Sequence, residues 1–452
     1  MGQQDAEQSL IQHSQQDVSD LKENLEIRRW FILIVFTLFS FSNASGFVTY
    51  SPIIQQSQDY YNVSQQAILW LANCYYLTYT FLAIPTLYFF RWRLDFSLII
   101  GVFLNALGGW LRYIGNDQYS FAILGQILLS IAQLFILPAP VFIAERWFGM
   151  SERVTATGIM YFGNVLGVSF GFLTSVYYVT DSSKLNTYLF YMAICLSLSA
   201  PFSIFVFKNK PTKPANQSSS NTNKIDVIQT VKMIFTNPKT LLITVSLSLY
   251  LGISWTLISI IDILLSDYGN EQIALIGLCI NVSGTISGTI TTYLLDKVMQ
   301  KGKKPNYDLY LRLFATISLI SIFVFSLMLQ LGLQDNNKVI IYIVCAFIGV
   351  GFQAFIPISA QSFLENLYPM HEVTCFTTFN IFANILGFIG NVVTSIDGIG
   401  TAGAWILVGM IIPLYLYLVF KYKTNCARFD YEINQNDKIK QADQVSSYSA
   451  TS

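Results

Sequence analysis

Charge is scarce in this sequence. Asp, Glu, Lys and Arg make up 12% of its 452 residues, about half the share found in a soluble domain. The 26 basic and 26 acidic side chains cancel, which leaves no bulk attraction for nucleic acid. Histidine is nearly missing: only His13 and His371 occur, so an imidazole-based catalytic or metal centre has little to draw on. The six cysteines (Cys74, Cys195, Cys279, Cys345, Cys375, Cys426) stand singly, with no Cys-x-x-Cys and no Cys/His ligand spacing. They read as small buried apolar residues. There is no phosphate-cradling Gly-rich loop, no HExxH and no Ser-His pairing, so the sequence speaks against an enzyme, and no cofactor or metal is expected. Strand-like alternation over ten-residue units is absent too, which argues against a transmembrane β-barrel.

What is abundant is apolar surface. Hydrophobic residues reach 53%, aromatics 15%, and the mean hydropathy is +0.49. About 20 apolar residues in a row span a bilayer core. Twelve such runs occur, at 30–54, 66–90, 96–114, 120–144, 154–178, 186–208, 240–266, 272–295, 309–332, 338–364, 374–396 and 403–422. The expectation is an all-α membrane protein of twelve transmembrane helices. Of the Lys and Arg residues, all but Arg112, Lys184 and Lys338 fall in the tails, the even-numbered loops or the span ends bordering them. The positive-inside rule then places both termini in the cytosol. The first 29 residues are polar and lack a signal-peptide core, so the first span is expected to be its own insertion signal. The plasma membrane is the default location, with an endomembrane as the alternative. Asn62, in Asn-Val-Ser, is the one sequon in a loop expected outside.

One long polar break, 209–239, is rich in Pro, Ser, Asn and Lys, and such composition reads as a linker. It divides the chain into a polar tail at 1–29, a six-helix bundle at 30–208, the linker, a second six-helix bundle at 240–422 and a polar tail at 423–452. The bundles share a sequence echo. ERWFGMSERVTATGIMYFGNVLG at 145–167 matches ENLYPMHEVTCFTTFNIFANILG at 365–387 with a constant offset of 220. Glu145 pairs with Glu365, Glu152 with Glu372, Thr157 with Thr377 and Asn164 with Asn384. A parallel repeat of two pseudo-symmetric six-helix bundles describes the major facilitator architecture, with alternating access as its expected mechanism.

Within this repeat, charges and glycines are segregated. A charge at the bilayer centre costs at least about 2.5–3.5 kcal/mol, so ERWFGMSER is expected to be a turn outside the hydrocarbon. Gly158, Gly163, Gly167 and Gly171 recur about every fourth residue, a spacing that lines one helix face with small residues for close packing. Asn164 on the same helix is a polar amide that should turn toward a neighbour or a wet cavity.

Further motifs carry a specific resemblance. SNA at 42–44 with Tyr50, WLANCYYLTY at 70–79, LNALGGWLR at 104–112, and GQILLSIAQLFIL at 125–137 occur in order. WFG at 147–149, GNVLGVSFGF at 163–172, YLLD at 293–296 and ENLYP at 365–369 follow. Together they resemble the feline leukaemia virus subgroup C receptor family of major facilitator transporters. That resemblance implies a transporter of a small organic solute, first a choline- or ethanolamine-like amine and second haem. A non-transporting membrane receptor on the same fold is the rival class. The scarcity of histidine lowers the haem reading. Choline-handling members surround their ligand with a Trp, a Gln, a Tyr and a Gln. The matching positions here are Phe47, Val165, Trp255 and Asn384, so two aromatics remain, one amide is shortened and one is lost.

Phe47 and Trp255 lie on the first spans of the two bundles, where ring faces can hold a cationic amine. Asn384, Asn164, Tyr50 and Gln133 complete the candidate substrate-binding set. Asp262, the only carboxylate well inside a predicted span, is either a coupling group or an interfacial carboxylate. Arg112 is read as interfacial. Asp95, Arg146, Arg153, Asp296 and Glu365 gather at the cytosolic ends of the spans, as a gate tying the halves together. The expected partners are the substrate and the lipid bilayer, with the chain a monomer.

Overall fold

The computed structural model describes residues 26–148, 153–212, 227–265, 268–300, 303–332, 338–368, 370, 372–394, 402–427 and 429–430. Hydrocarbon offers no hydrogen-bond partners, so each crossing segment must satisfy its backbone internally, as a helix. The described elements are helices throughout. The first bundle contains α1 (Arg28–Phe47), α2 (Ile54–Tyr61), α3 (Gln65–Trp92), α4 (Leu94–Ile114), α5 (Tyr119–Leu134), α6 (Ala139–Trp147), α7 (Arg153–Tyr178), α8 (Leu185–Ser197) and α9 (Ala200–Val206). Helix α10 (Val227–Thr236) precedes the second bundle. That bundle contains α11 (Pro238–Leu264), α12 (Asn270–Gln300), α13 (Tyr307–Leu331), α14 (Lys338–Leu367), α15 (Glu372–Thr394) and α16 (Ala402–Phe420).

Among the described residues, eleven helical segments are long and apolar enough to cross a membrane. Between 33% and 61% of each apolar window is buried inside the protein, so the remainder is left for lipid. The predicted span 120–144 is present in two pieces, α5 and α6. Pro138 and Pro140 remove two amide donors within three residues, and the chain crosses the gap in tight turns, Ile136 N to Gln133 O at 2.9 Å and Ala139 N to Ile136 O at 3.2 Å. In the second bundle a single proline, Pro357, stands one residue from the matching position, and α14 runs through it unbroken. The predicted span 30–54 stops early, at Phe47. Pro52 lacks an N–H and restricts Ser51, and the chain turns there into α2, whose Ile54, Ser57 and Tyr61 are buried. Within the predicted linker, α10 buries Val227, Thr230 and Ile234 and packs on α11 and α15.

The sequence repeat is a repeat of contacts. Helix α1 packs on α7 as α11 packs on α15, α4 on α5 as α13 on α14, α3 on α5 as α12 on α14, and α4 on α8 as α13 on α16. Two seams join the halves, α7 against α12 and α3 against α15, and these too are related by the repeat. At the crossing of α1 and α7, Ser45 Oγ donates to Gly167 O at 2.9 Å. At the equivalent crossing, Thr256 Oγ1 donates to Gly387 O at 3.1 Å. Glycine makes both approaches possible: a Cβ on Gly171 would lie 2.7 Å from Ser45 O, and one on Gly252 2.8 Å from Ala383 O. Gly163, Gly167 and Gly171 therefore form the expected packing face. Gly158 does not, because nothing lies within 4 Å of where its Cβ would be.

Candidate functional site

We call the end of the bundle holding Arg28, Trp92, Leu94 and Phe420 proximal and the other end distal. Phe47 closes the distal end of α1, half-buried, and its ring meets Tyr75 of α3 at 4.9 Å between centroids, edge to face. Tyr76, the next residue, lies 6.3 Å from Phe47 and 6.3 Å from Trp255 of α11. Phe47 and Trp255 are thus linked, through Tyr76, across the boundary between the halves. Tyr75 and Tyr76 were missed as site residues. They stand inside the WLANCYYLTY motif, but in a chain with 26 tyrosines only the topology shows that Tyr76 faces the seam and that Tyr75 packs on Phe47.

Polar bonds cross the boundary beside the rings. The Tyr76 and Ser259 hydroxyls share a hydrogen bond at 3.0 Å, and Asn391 of α15 donates its amide to Asn73 Oδ1 of α3. Both asparagines and Tyr76 are buried. A small cavity lined by Phe47, Tyr50, Ile68, Ala72 and Ser259 has a volume of about 10 Å³, room for a single water. Toward the proximal end the halves meet ring to ring, Tyr161 of α7 and Phe376 of α15 at 6.5 Å.

The other expected site residues take varied places. Asn384 is buried, donates to Asn380 O at 2.8 Å, and lies one turn from Gly387, where a Cβ would meet Tyr76 Cε1 at 3.3 Å. Asn164 donates to Ser40 Oγ at 3.2 Å, tying α7 to α1. Gln133 sits at the broken end of α5, where its carbonyl accepts from Ile136 and Leu137. Tyr50 is buried and lines the cavity, and its hydroxyl pairs with Tyr61 at 3.2 Å. The side chains of Asp262, Arg153 and Asp296 lie outside the described set.

Arg112 corrects an expectation. Instead of meeting water at the span end, it is fully buried among α1, α4 and α5. Gly125 makes room for its stem, since a Cβ there would lie 2.5 Å from Arg112 Cγ. Its Nη1 donates to Gln126 Oε1 at 3.0 Å, to Gly46 O and to Thr49 Oγ1. Gln126 in turn donates to Leu71 O at 3.1 Å. The Tyr50 ring lies 5.8 Å from the guanidinium carbon.

Of the expected gate charges at the proximal end, Asp95, Arg146 and Glu365 each make described bonds within their own half. Arg93 grips Asp95 with Nε at 3.0 Å and Nη2 at 2.5 Å. Arg146 donates to Asn209 Oδ1 at 2.9 Å and Phe90 O at 3.2 Å, fixing the segment that follows α9. Glu365 Oε2 accepts from Phe429 N at 3.2 Å. In the segment that follows α16, Asp308 Oδ1 also accepts from Thr424 N at 2.9 Å and Oγ1 at 2.6 Å. Outside the spans, hydrogen bonds from Thr212 hold the Glu26 carboxyl below the usual carboxylate range, and the hydrogen bond to Asp430 holds the Lys304 ammonium above its own.

This arrangement has clear relatives. The Major Facilitator Superfamily model matches residues 30–394. Choline/ethanolamine transporter FLVCR2 of Rattus norvegicus is 29% identical over 80% of this chain and 68% of its own length. The Homo sapiens FLVCR2 is 27% identical over 85% and 75%, and choline/ethanolamine transporter FLVCR1 of Felis catus is 27% identical over 81% and 67%. The similarity implied by the motifs is therefore found along most of the chain. A bacterial homolog of the human lysosomal transporter Spinster, crystallised inward-facing and unoccupied, superimposes with a TM-score of 0.61 at 12% identity, covering 89% of this chain and 96% of that one.

Proposed function

The chain belongs to the Major Facilitator Superfamily, and from that premise we propose that it carries a small organic amine of the choline and ethanolamine class across a membrane by alternating access. The observation that carries this reading is the run of rings, Phe47 to Tyr76 to Trp255, contributed by both halves at their common boundary. A cationic amine among such faces gains about 0.5–2 kcal/mol per contact, more where water is excluded. Because the rings come from both halves, a ligand bound there senses their separation, which is what alternating access requires. Asn384 supplies an amide one turn away for a hydroxyl or amine of the ligand. The related proteins named as choline/ethanolamine transporters support the substrate class. In this reading the proximal end faces the cytosol, where the Lys and Arg residues concentrate, and the protein works as a monomer.

The test is uptake of labelled choline and ethanolamine into proteoliposomes holding the full chain. Trp255→Ala removes one ring face and raises KM about 2- to 30-fold, the equivalent of about 0.5–2 kcal/mol. Wild-type kinetics in Trp255→Ala for every amine carried would remove the aromatic site.

A further inference from the structure

Arg112 is the only buried cation among the described residues, and no described carboxylate pairs with it. Its bonds are made by one nitrogen. Nη1 serves Gln126, Thr49 and Gly46, all neutral acceptors, while Nε and Nη2 have no partner at all. Those two donors form one edge of the planar guanidinium, the edge that matches the two oxygens of a carboxylate. This same protein uses that edge so elsewhere: Arg93 holds Asp95 through Nε and Nη2, one bond to each oxygen. A third unused donor stands near. The Tyr75 hydroxyl is buried without a partner and belongs to the ring that touches Phe47. Tyr50 joins the two regions, carrying the guanidinium over its ring and lining the cavity with Phe47.

A buried ion without a counter-ion is strongly disfavoured, and a bare cation beside an aromatic amine site repels the amine as well. Both costs fall if an anion enters with the substrate and satisfies the free donors. We propose that the Nε–Nη2 edge of Arg112 is a binding site for a small carboxylate, so that the solute carried is an amine bearing its own carboxylate, or an amine accompanied by one. This deepens the amine-transport reading and rests on it for the second half of the statement only.

The experiment uses the full chain, purified, with three probes: choline, trimethylglycine (the same quaternary head with a carboxylate) and acetate. Millimolar trimethylglycine and acetate are expected to raise the Tm of the wild type. Arg112→Lys keeps the charge and loses the edge, and should abolish both shifts. It should also lower the ratio of trimethylglycine to choline uptake in proteoliposomes about tenfold, the worth of a lost charged bidentate contact. If Arg112→Lys does not fold, Tyr75→Phe removes the third donor without touching the charge, and the same ratio falls by a smaller factor. Choline uptake that needs added acetate, lost in the variant, identifies a separate carboxylate instead of one on the amine. Acetate protection that survives in the wild type and disappears in Arg112→Lys, with no amine transported, keeps the site and discards amine transport. No Tm shift from either carboxylate in the wild type, or equal shifts in Arg112→Lys, overturns the proposal, a buried water then sufficing for the edge.

Discussion

Among the described residues, two hydrogen bonds hold the distal seam, Asn391 to Asn73 and Tyr76 to Ser259, and cutting them should open it. Asn391→Ala removes the first and Ser259→Ala the second, and neither reaches the helix crossings inside each half. A neutral hydrogen bond in a protein is worth about 1 kcal/mol net, which is about a fivefold change in an equilibrium constant. The two bonds start one helical turn apart on α3, so they share neighbours and need not add; additivity would set a ceiling of about 30-fold for the double variant. Ala72 lines the cavity at this seam and is buried, so Ala72→Cys gives a reporter. Its rate of reaction with a membrane-impermeant thiol reagent, read by fragment-ion mass spectrometry at residue 72 itself and so apart from the native thiol of Cys74, measures how often the distal seam opens. Each single variant should speed labelling about fivefold, and the double variant further. Equal or slower labelling in a double variant of unchanged Tm would show that the bonds do not hold the seam, and that ring packing alone closes it.

The glycine faces and the segment after α16 give two more tests. Gly252→Leu forces a side chain into the backbone of α15, and such overpacking costs about 1–3 kcal/mol; Gly158→Ala meets only open space and gains helix propensity, so Tm should hold or rise, and a fall of Tm in both variants would refute the packing assignment. Asp308→Asn weakens the anchors of Thr424 and should speed limited proteolysis between residues 422 and 430 with little change in the Tm of the bundle. A cleavage rate equal to wild type would mean that Glu365 and Tyr422 suffice to hold the segment.

Hydropathy and the 220-residue offset made the bundle architecture readable, because lipid imposes helices and duplication leaves paired landmarks. The helix-packing glycines were readable from their spacing, apart from Gly158, whose place at the proximal start of α7 lies beyond the crossing. The break between α5 and α6 was written in Pro138 and Pro140, and hydropathy passed over it because both flanks are apolar. Arg112 could not be read. An arginine two residues from a span end looks interfacial, and what buries it comes from Gly46 on α1, Thr49 and Tyr50 in the turn that follows α1, and Gln126 on α5. For the charged gate, the residues were readable and their partners were not. The described partners of Arg146 and Glu365 are backbone groups and the neutral Asn209, and these leave no charge pattern in the sequence. Tyr76 needed the seam itself, and Tyr75 its contact with Phe47, to be distinguished from the many rings that face lipid.

The crossing bonds also bear on how the chain is made. Ser45 and Gly167 both precede residue 209, as Thr256 and Gly387 both follow it, so neither closure waits on the other half. During synthesis the first bundle can lock its own crossing while the second is still being translated, in keeping with the habit of large chains to mature unit by unit. A ribosome stalled past the linker would then hold a finished, protease-resistant piece, and defects in Gly167 or Gly387 would arrest different stages of biogenesis.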